Sequence, residues 1–344
     1  MTIKATGGNP PTNSLRFSEI EAEFGAQSPR SLGSYRHSQT VGGLTFDGID
    51  GGIPSGPNDT IKFSDFYGKS LNIVVDCFSG SDEFRISAKN NKWNNNEIVI
   101  INPSTVSKKE SGTKIIIRVN KKFGSDKSGI NNCALKTGSW NNPAVVVVDL
   151  GSNAKILGAG GNGGRGADGI TNPGRDGGDG SSGLGIEHQG TIINYRSGSV
   201  IRAGFGGGGG GGGGQETSKN DRRAGGGGGG GGAGFPFGTG GAGGTPLGGV
   251  DRGGSSIGGD GGNGTETTGG NGGSGGDNED QAGGQTGGVG GDNEQSPGNG
   301  PNHDVAGGTG GTSGAAIRKS SGVSFGFGVQ DGTIQGNTNA SGVA

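Results

Sequence analysis

The sequence predicts a mostly β fold combined with a polyglycine-II helix bundle. Its parts are a small N-terminal docking module, an antiparallel β-sandwich, and a glycine-rich polyglycine-II sandwich on a short β-platform. Three observations predict this fold class. Of the chain's 90 glycines, 73 lie at or beyond residue 158. Many of them recur in Gly-Gly-X triplets, which matches the three residues per turn of polyproline II. β-branched runs between residues 71 and 150 precede them.

The glycine-rich region centres on two nearly pure glycine tracts, 206–214 and 225–232. A disordered linker is one interpretation, because glycine has no side chain to bury and loses the most backbone entropy on folding. The triplet register favours an ordered bundle, since its bare backbone ridges let neighbouring helices pair N–H with C=O groups. We therefore expect the two tracts inside the bundle and the triplets at its rim. Collagen is excluded because it needs one glycine per triplet.

Composition excludes several classes of protein. A net charge of -2 and a pI near 6.0 give no electrostatic footprint for nucleic acid or anionic membrane. No apolar run approaches a membrane span, and the polar start is not a signal peptide. Cys77 and Cys133 allow a disulfide, although two buried thiols in a reducing cytosol are favoured.

Residues 1–70 form the expected docking module. Ser18 and Glu21 are spaced as a capping box, and Gly25 closes a short helix. The phrase LRFSEI at 15–20 returns as IKFSDF at 61–66. So little apolar material predicts docking onto a partner. Together the two phrases resemble a short N-terminal module of bacteriophage structural and tail proteins. The resemblance implies virion docking, and the candidate docking residues are Phe17, Ile20, Phe24, Phe63, Phe66 and Tyr67.

Residues 71–150 form the expected antiparallel β-sandwich. Four β-branched runs, bounded by Asn, Gly, Pro and Ser clusters, predict strands at 71–75, 97–101, 114–119 and 144–150. Lys121, Lys122 and Lys127 form a modest basic cluster that we interpret as a solvated face. Residues 151–344 then form the glycine-rich domain.

Three similar phrases bracket the glycine-rich region, at 152–158, 197–203 and 331–336. Each combines a turn, an isoleucine (Ile156, Ile201 or Ile334) and a small residue. They predict three short strands that together form one β-platform at the base of the glycine bundle.

Counting the glycine-rich segments predicts a topology of ten arms that alternate away from and towards the platform. The arms are 158–166, 174–183, 203–214, 224–234, 238–244, 248–254, 258–264, 269–276, 283–291 and 307–314. The predicted distal loops are 167–173, 215–223, 245–247, 265–268 and 292–306. The predicted basal connections are 184–202, 235–237, 255–257 and 277–282, which place Phe235, Phe237 and Ile257 at the base.

The motifs for chemistry are weak. A G-x-G-x-x-G match begins at Gly158, but no βαβ unit surrounds it. Residues 163–170 fit one calcium-binding nonapeptide without the tandem copies such a site needs. His37, His188 and His303 lack metal-ligand spacing. Scattered acids, including Glu187, Glu216 and Glu266, are interpreted as solubilising loop charges. We expect no catalytic residues, metal or cofactor, and no enzyme activity.

From residue 150 onward the order of strand, glycine tract and strand resembles the distal tail-fibre adhesins of T-even-type bacteriophages. SNAKILGAGGNGGRG and IINYRSGSVIRAGFGGGGGGGGG carry the likeness, and CALKTGSWNNPAVVVVDL resembles the β-domain that leads into such tips. The resemblance implies a glycine sandwich whose distal loops contact a bacterial surface receptor. Those loops share no motif in the family, so the candidate receptor-binding residues come from the arm count: Asn172, Glu216, Lys219, Arg222, Arg223, Leu247, Thr267, Glu294, Asn302 and His303.

The resemblance implies a virion tail protein that is made in the host cytoplasm and acts outside the cell at the host surface. Its expected partners are other tail or fibre proteins in a homo- or hetero-oligomeric assembly, and a host surface polysaccharide or outer-membrane protein. No nucleic acid partner is expected. The alternative is a structural joint or decoration protein of the tail or collar, with the glycine region as a spacer.

Overall fold

The computed structural model describes residues 15–24, 31–35, 40–41, 44–45, 54, 58–67, 72–77, 84–85, 98–100, 114–125, 129–138, 145–216, 222–246, 257–276, 283–292 and 295–343. Within these ranges there is almost no helix: α1 spans Phe17–Phe24, and two 3₁₀ helices span Leu32–Tyr35 and Phe63–Phe66. None of the described helices has the length and apolar character needed to cross a membrane.

The remaining regular structure of the described residues is β. The strands are β1 Thr40–Val41, β2 Leu44–Thr45, β3 Asn72–Cys77, β4 Phe84–Arg85, β5 Ile98–Ile100, β6 Lys114–Val119, β7 Lys122–Gly124, β8 Cys133–Lys136, β9 Val145–Leu150, β10 Lys155–Leu157, β11 Ser182–Ile186, β12 Thr191–Tyr195, β13 Val200–Arg202, β14 Gly214–Glu216, β15 Arg222–Ala224, β16 Ile317–Lys319, β17 Phe325–Gln330, β18 Thr333–Gln335 and β19 Ala340–Ser341.

Most of these strands belong to three sheets. Sheet I has the order β17-β12-β9-β6-β3-β5, sheet II β18-β13-β10-β7, and sheet III β19-β16-β11-β8-β4. All of their strand pairs are parallel except β3 with β5. β1 with β2, and β14 with β15, form small antiparallel pairs.

The chain visits the three sheets in a fixed rotation. β6, β7 and β8 lie in sheets I, II and III, and the same order repeats for β9-β10-β11, β12-β13-β16 and β17-β18-β19. Each round therefore stacks on the previous one, as in a solenoid whose units contact only their neighbours. Strands β3 to β13 and β16 to β19 together build this three-sheet solenoid, which continues past residue 150 from β9 into β10.

Aliphatic side chains from all three sheets fill the middle of the solenoid. Ile117 and Val148 from sheet I, Ile156 from sheet II, and Leu184 and Ile317 from sheet III are fully buried members of one core cluster. Burying such side chains is the main favourable term in folding. The solenoid thus has an ordinary hydrophobic core, whereas the described glycine-rich region has only a small buried cluster of Ala203, Phe205 and Ala233.

The three phrases that bracket the glycine-rich region pair within sheet II. Ile156 lies beside Ile201, and Ile201 beside Ile334, in parallel register. The prediction that these phrases share one sheet is confirmed.

The glycine-rich segments leave and re-enter the solenoid at one corner, between sheets II and III. One excursion runs from β10 to β11, and a second runs from β13 to β16. In the described residues the excursions form ten extended arms: arm 1 158–167, arm 2 174–181, arm 3 204–213, arm 4 225–234, arm 5 238–244, arm 6 258–264, arm 7 269–276, arm 8 283–291, arm 9 297–301 and arm 10 307–314. We call these arms and the hydrogen bonds between them the glycine lattice.

Backbone hydrogen bonds hold the lattice together with a period of three. Gly207, Gly208 and Gly209 donate their N–H groups to arms 2, 4 and 9, at 2.8–3.0 Å. The carbonyls of the same three residues accept from arms 10, 1 and 8. Arm 3 therefore contacts six neighbours within the described chain. Arm 4 does the same with arms 1, 3, 5, 6, 7 and 8.

The two glycine tracts lie inside the lattice. Every residue of 203–214 and 224–234 is buried. A Cβ atom built at any glycine of 206–211 or 225–232 would lie under 3 Å from a backbone atom of another arm. The prediction that the two tracts lie in the interior, with other arms around them, is confirmed. Only a residue without a side chain fits between the backbones of six neighbouring arms.

The predicted fold class is wrong. The structure is built mainly from parallel sheets with almost no helix, not from an antiparallel sandwich that carries polyglycine-II helices. All four predicted strands exist, as β3, β5, β6 and β9, but they lie side by side in one sheet with mainly parallel partners. Strand composition does not encode direction. The consecutive buried residues Ile115, Ile116 and Ile117 are typical of a parallel strand covered on both faces, and this signal was missed.

We predict that Gly210→Ala destabilises the protein by about 3 kcal/mol or more, because the new Cβ would overlap the carbonyl of Arg165 in arm 1. Gly326→Ala is the matched control, since nothing lies within 4 Å of a Cβ built there. We expect this control to be neutral. Urea unfolding of the two variants measures the difference, and equal stabilities would contradict the packing described for arm 3.

Candidate functional site

The glycine lattice has two chemically different ends. At the base, the arms join the solenoid: the Gly158 N–H donates to Arg202, and the Gly204 N–H donates to Ser181. The distal end is the opposite one, where Ala167 pairs with Gly211 and Val305 with Gly213. Any surface that the lattice presents away from the solenoid is formed by the distal connections.

Hydrogen bonds of the flanking residues place each connection between arms. Among the described residues, those at the distal end are 168–173, 214–216, 222–224, 245–246, 257 and 302–306, while 217–221, 247–256 and 277–282 lie outside the described set. The basal turns are 235–237, 265–268 and 292–296.

The predicted loop placement is partly wrong. Thr245 and Gly258 both lie at the distal end, and the predicted arm 248–254 lies outside the described residues. Conversely, 297–301 is an arm that the triplet count missed, because its Pro297-Gly298-Asn299-Gly300 sequence lacks the Gly-Gly doublet. The missed arm exchanges the predicted ends of the turns before it, back to Ile257. Turn 265–268 and residues 292 and 295–296 are therefore basal and Ile257 is distal, while the predicted basal connection 277–282 lies outside the described residues.

The candidate receptor-binding residues divide accordingly. Asn172, Glu216, Arg222, Arg223, Asn302 and His303 belong to distal connections. Thr267 lies in a basal turn, so its predicted distal position is wrong. Lys219, Leu247 and Glu294 lie outside the described residues. The residues that flank Glu294 belong to the basal turn 292–296, where the Asp292 N–H donates to Gln295.

Asp168 is the most enclosed charged side chain at the distal end. Its Oδ1 accepts hydrogen bonds from Arg165 at 2.7 Å, from the Thr245 N–H at 2.8 Å, and from the Thr245 hydroxyl at 3.0 Å. Asp168 is 5% exposed. This carboxylate occupies the aspartate position of the calcium nonapeptide, but its donors are an arginine and a threonine. Among the described residues, no group of three or more His, Cys, Asp and Glu side chains could hold a metal ion.

A second carboxylate joins two other distal connections. Asp304 Oδ2 accepts the Gln215 N–H at 2.7 Å and lies 3.1 Å from His303 Nδ1. Beside it, the Val305 N–H donates to the Gly213 carbonyl at 3.2 Å. The 302–306 connection is thereby held against the β14–β15 hairpin.

Asn and Asp side chains also complete the hydrogen bonding along the flanks of the lattice. Asp176 accepts the N–H and hydroxyl of Thr309, and three residues on Asp179 accepts the Thr312 N–H. The backbone and hydroxyl hydrogen bonds of Thr309 lower the pKa of Asp176 below its ordinary value. Asn162, Asp260, Asn263, Asn299 and Asn302 accept backbone N–H groups from neighbouring arms in the same way. The recurrence of Asn, Asp and Thr at the X position is therefore a sequence signal for neighbouring arms.

The basal turn 265–268 is fixed by charge. Glu266 accepts from Lys155 Nζ at 2.7 Å and from Lys122 Nζ at 3.0 Å, while Arg202 donates to its backbone carbonyl. Lys122 also lies 3.8 Å above the ring of Phe235. Glu266 and Lys122 were interpreted as a solubilising acid and a solvated face. Instead, they join the lattice to sheet II. Local sequence patterns do not predict this contact, because the two residues are 144 positions apart in the chain.

The charges at the base shift two pKa values. Burial alone would raise the pKa of Glu266, but hydrogen bonds from Lys155 and Lys122, together with their charges, lower it below the ordinary value of 4.5. Burial lowers the pKa of Arg202, and the charge of Glu266 opposes this shift. The ionised form of Glu266 is therefore the one that the folded state stabilises.

The N-terminal residues proposed for docking contact one another. Phe17 and Phe63 meet edge to face with ring centroids 6.1 Å apart, and the Tyr67 hydroxyl accepts the Leu15 N–H. Ile20 and Phe66 are fully buried, whereas Phe63 is 39% exposed. The side chain of Phe24 lies outside the described set. Among the five residues whose side chains are described, Phe63 thus offers the largest apolar surface to a partner.

The two similar segments of this module, 15–20 and 61–66, each form the same kind of helix N-cap. The Arg16 N–H donates to the Glu19 carboxylate at 2.6 Å, and the Lys62 N–H donates to Asp65 at 2.7 Å. The helix begins at Phe17, so the predicted capping box of Ser18 and Glu21 is wrong by two residues.

Comparison with family models, curated proteins and solved structures finds no match to this chain.

We predict that Glu266→Gln costs about 1 kcal/mol of unfolding free energy at neutral pH, because both lysine partners are partly exposed. The pKa of Glu266 is lower in the folded state than its ordinary value. The stabilisation that Glu266 contributes to folding is therefore present above the ordinary glutamate pKa and disappears as the pH falls through the folded-state pKa. Urea unfolding at pH 7 and about pH 3 measures this difference.

The matched control is Glu187→Gln, which keeps an acceptor for the Gly138 N–H. We expect no such pH-dependent difference for it. If Glu266→Gln were as stable as the wild type at neutral pH, the basal ion pairs would not stabilise the protein.

Proposed function

We propose that this protein is a bacteriophage tail-fibre adhesin that recognises the host cell surface through the distal connections of its glycine lattice. The receptor would be a surface polysaccharide or an outer-membrane protein, and the N-terminal module would attach the chain to another virion tail protein. The likeness of residues 150–234 to distal tail-fibre adhesins supports this proposal.

The construction of the lattice suits a mount for recognition loops. Each arm is held by backbone hydrogen bonds to its neighbours, and four covalent crossings, at Gly158, Ser181, Gly204 and Gly314, join it to the solenoid. A rigid scaffold that carries variable loops is a common arrangement for binding proteins. A spacer that only separates two partners would not need arms that double back eight times.

The observation that carries the proposal is the grouping of polar connections at one end. The longest non-glycine stretch of the region, QETSKNDRRA at 215–224, begins and ends in the distal hairpin of β14 and β15. Two basal turns are instead occupied with contacts to the solenoid, as Glu266 and Phe235 illustrate. Loops rich in Asn, Ser, Thr and charged residues offer adaptable hydrogen bonding to a receptor.

We predict that the fluorescently labelled full chain binds saturably to whole cells of a subset of strains in a bacterial panel. A variant in which 215–223 and 302–306 are replaced by Gly-Ser sequences of equal length should lose this binding, because both segments are distal. The variant should also keep the wild-type melting temperature, because the arms are unchanged. Flow cytometry measures binding, and competition with unlabelled chain establishes saturation. Binding to no strain, or equal binding by the variant, would contradict the proposal, and a folded chain without cell binding favours the structural joint.

A further inference from the structure

The solenoid is open at the end formed by its last round of strands. β17, β18 and β19 are the edge strands of sheets I, II and III, and no described strand pairs with their outer edges. At the opposite end, sheet I is closed by β5, which pairs antiparallel with β3. Unpaired strand edges are templates for another strand, and repeat proteins ordinarily cover their terminal units with polar caps. The last round has no such cover within the described part of the chain.

Aromatic side chains of the core reach solvent at this open end. Phe327 is in register with the core residue Ile193, so it lies on the core side of sheet I. It is nevertheless 39% exposed, because no described strand lies beyond β17. Its ring meets Phe325 and Tyr195 edge to face, with centroids 5.6 and 5.8 Å away. The open end thus presents part of the hydrophobic core of the solenoid.

The first half of β17 is the part that is shaped to accept another strand. The register of β17 with β12 shifts by one residue at 328–329, which is a β-bulge. Within this bulge the Val329 N–H donates to the side-chain oxygen of Asn194 at 2.9 Å. A bulge turns a strand edge away from pairing, whereas Phe325–Phe327 keeps a regular register. The centre of the regular part is Gly326.

The open end is almost free of charge. Asp331 is the only ionisable side chain between residues 320 and 343. Proteins commonly protect exposed strand edges with lysine or other charged residues, and the last round carries no lysine or arginine. Such a surface meets a copy of itself with little like-charge repulsion, and it offers no complementary charges to a strongly acidic or basic partner.

We propose that two copies of this chain associate end to end through β17, β18 and β19. A two-fold axis at Gly326 pairs β17 antiparallel with the partner's β17 and sets β18 opposite the partner's β19, because the rotation reverses the order of the sheets around the core. One surface then serves both chains, as in other two-fold contacts. An antiparallel strand at the edge of a parallel sheet already occurs in this molecule, where β5 pairs with β3. The contact covers Phe327 in both copies.

Gly326→Lys tests the contact without disturbing the fold of the single chain. Nothing lies within 4 Å of a Cβ atom built at Gly326, so the longer side chain has room. In the dimer, the two introduced side chains would lie directly opposite each other on neighbouring strands, where like charges are destabilising. Gly326→Ala is the uncharged control. Phe237→Lys is the control for added charge, since Phe237 is 49% exposed in a basal turn of the lattice.

Analytical ultracentrifugation of the full chain, from about 1 μM to about 100 μM, measures the association. We expect the wild type and both controls to dimerise, and Gly326→Lys to raise the dissociation constant at least about tenfold. High salt should restore part of the lost association, because screening weakens the repulsion. Hydrogen exchange at the outward amides of 325–327 in the wild type should slow as the concentration rises.

Three results would overturn the proposal. The first is a wild-type chain that stays monomeric across this range. The second is a dimer that Gly326→Lys leaves unchanged, and the third is a dimer in which the amides of 325–327 exchange as fast as in the monomer. The melting temperature of Gly326→Lys at low concentration should equal that of the wild type, which separates a loss of association from a loss of folding.

Discussion

The glycine lattice depends on one constraint: its backbone N–H and C=O groups must find partners in other arms, because the glycine tracts of the interior arms have no side chains to pack. Unpaired backbone groups are costly when buried. Each interior arm meets this requirement by donating to three neighbours and accepting from three others, with a repeat of three residues. The exclusion of side chains follows directly, since a Cβ atom at the interior positions would overlap a neighbouring backbone. Glycine here is the residue that allows close packing, not a source of disorder.

The solenoid supplies what the lattice cannot, a hydrophobic core and fixed points of attachment. Both excursions leave sheet II and return to sheet III, so their ends are aligned by the same stacked strands. Ile156 and Ile201 are paired immediately before the first and second excursions. The ion pairs of Glu266 add a further contact between a basal turn and sheet II. The base is therefore fixed by strands and charge, and the distal end is left to carry the connections.

Local patterns predicted the parts of this molecule better than their arrangement. The β-branched runs located β3, β5, β6 and β9, and the shared isoleucines of sheet II predicted that three distant phrases pair. Strand direction was not predicted, because it depends on the long connections and not on the strands themselves. At the candidate site, the arm count placed Asn172 and His303 at the distal end but misplaced Thr267, because the missed arm at 297–301 exchanges the predicted ends of the turns between Ile257 and Gly291. The interactions of Glu266 with Lys122 and Lys155 span more than a hundred residues and follow from no local pattern.

Native-state hydrogen exchange of the amides in 206–213 and 225–232 tests the central claim most directly. If these glycines are paired between arms, their amides should exchange only through global unfolding, with the same protection as the core strands β6 and β9. Exchange at the rate of an unstructured peptide would contradict the account, and it would make the glycine-rich region a flexible linker.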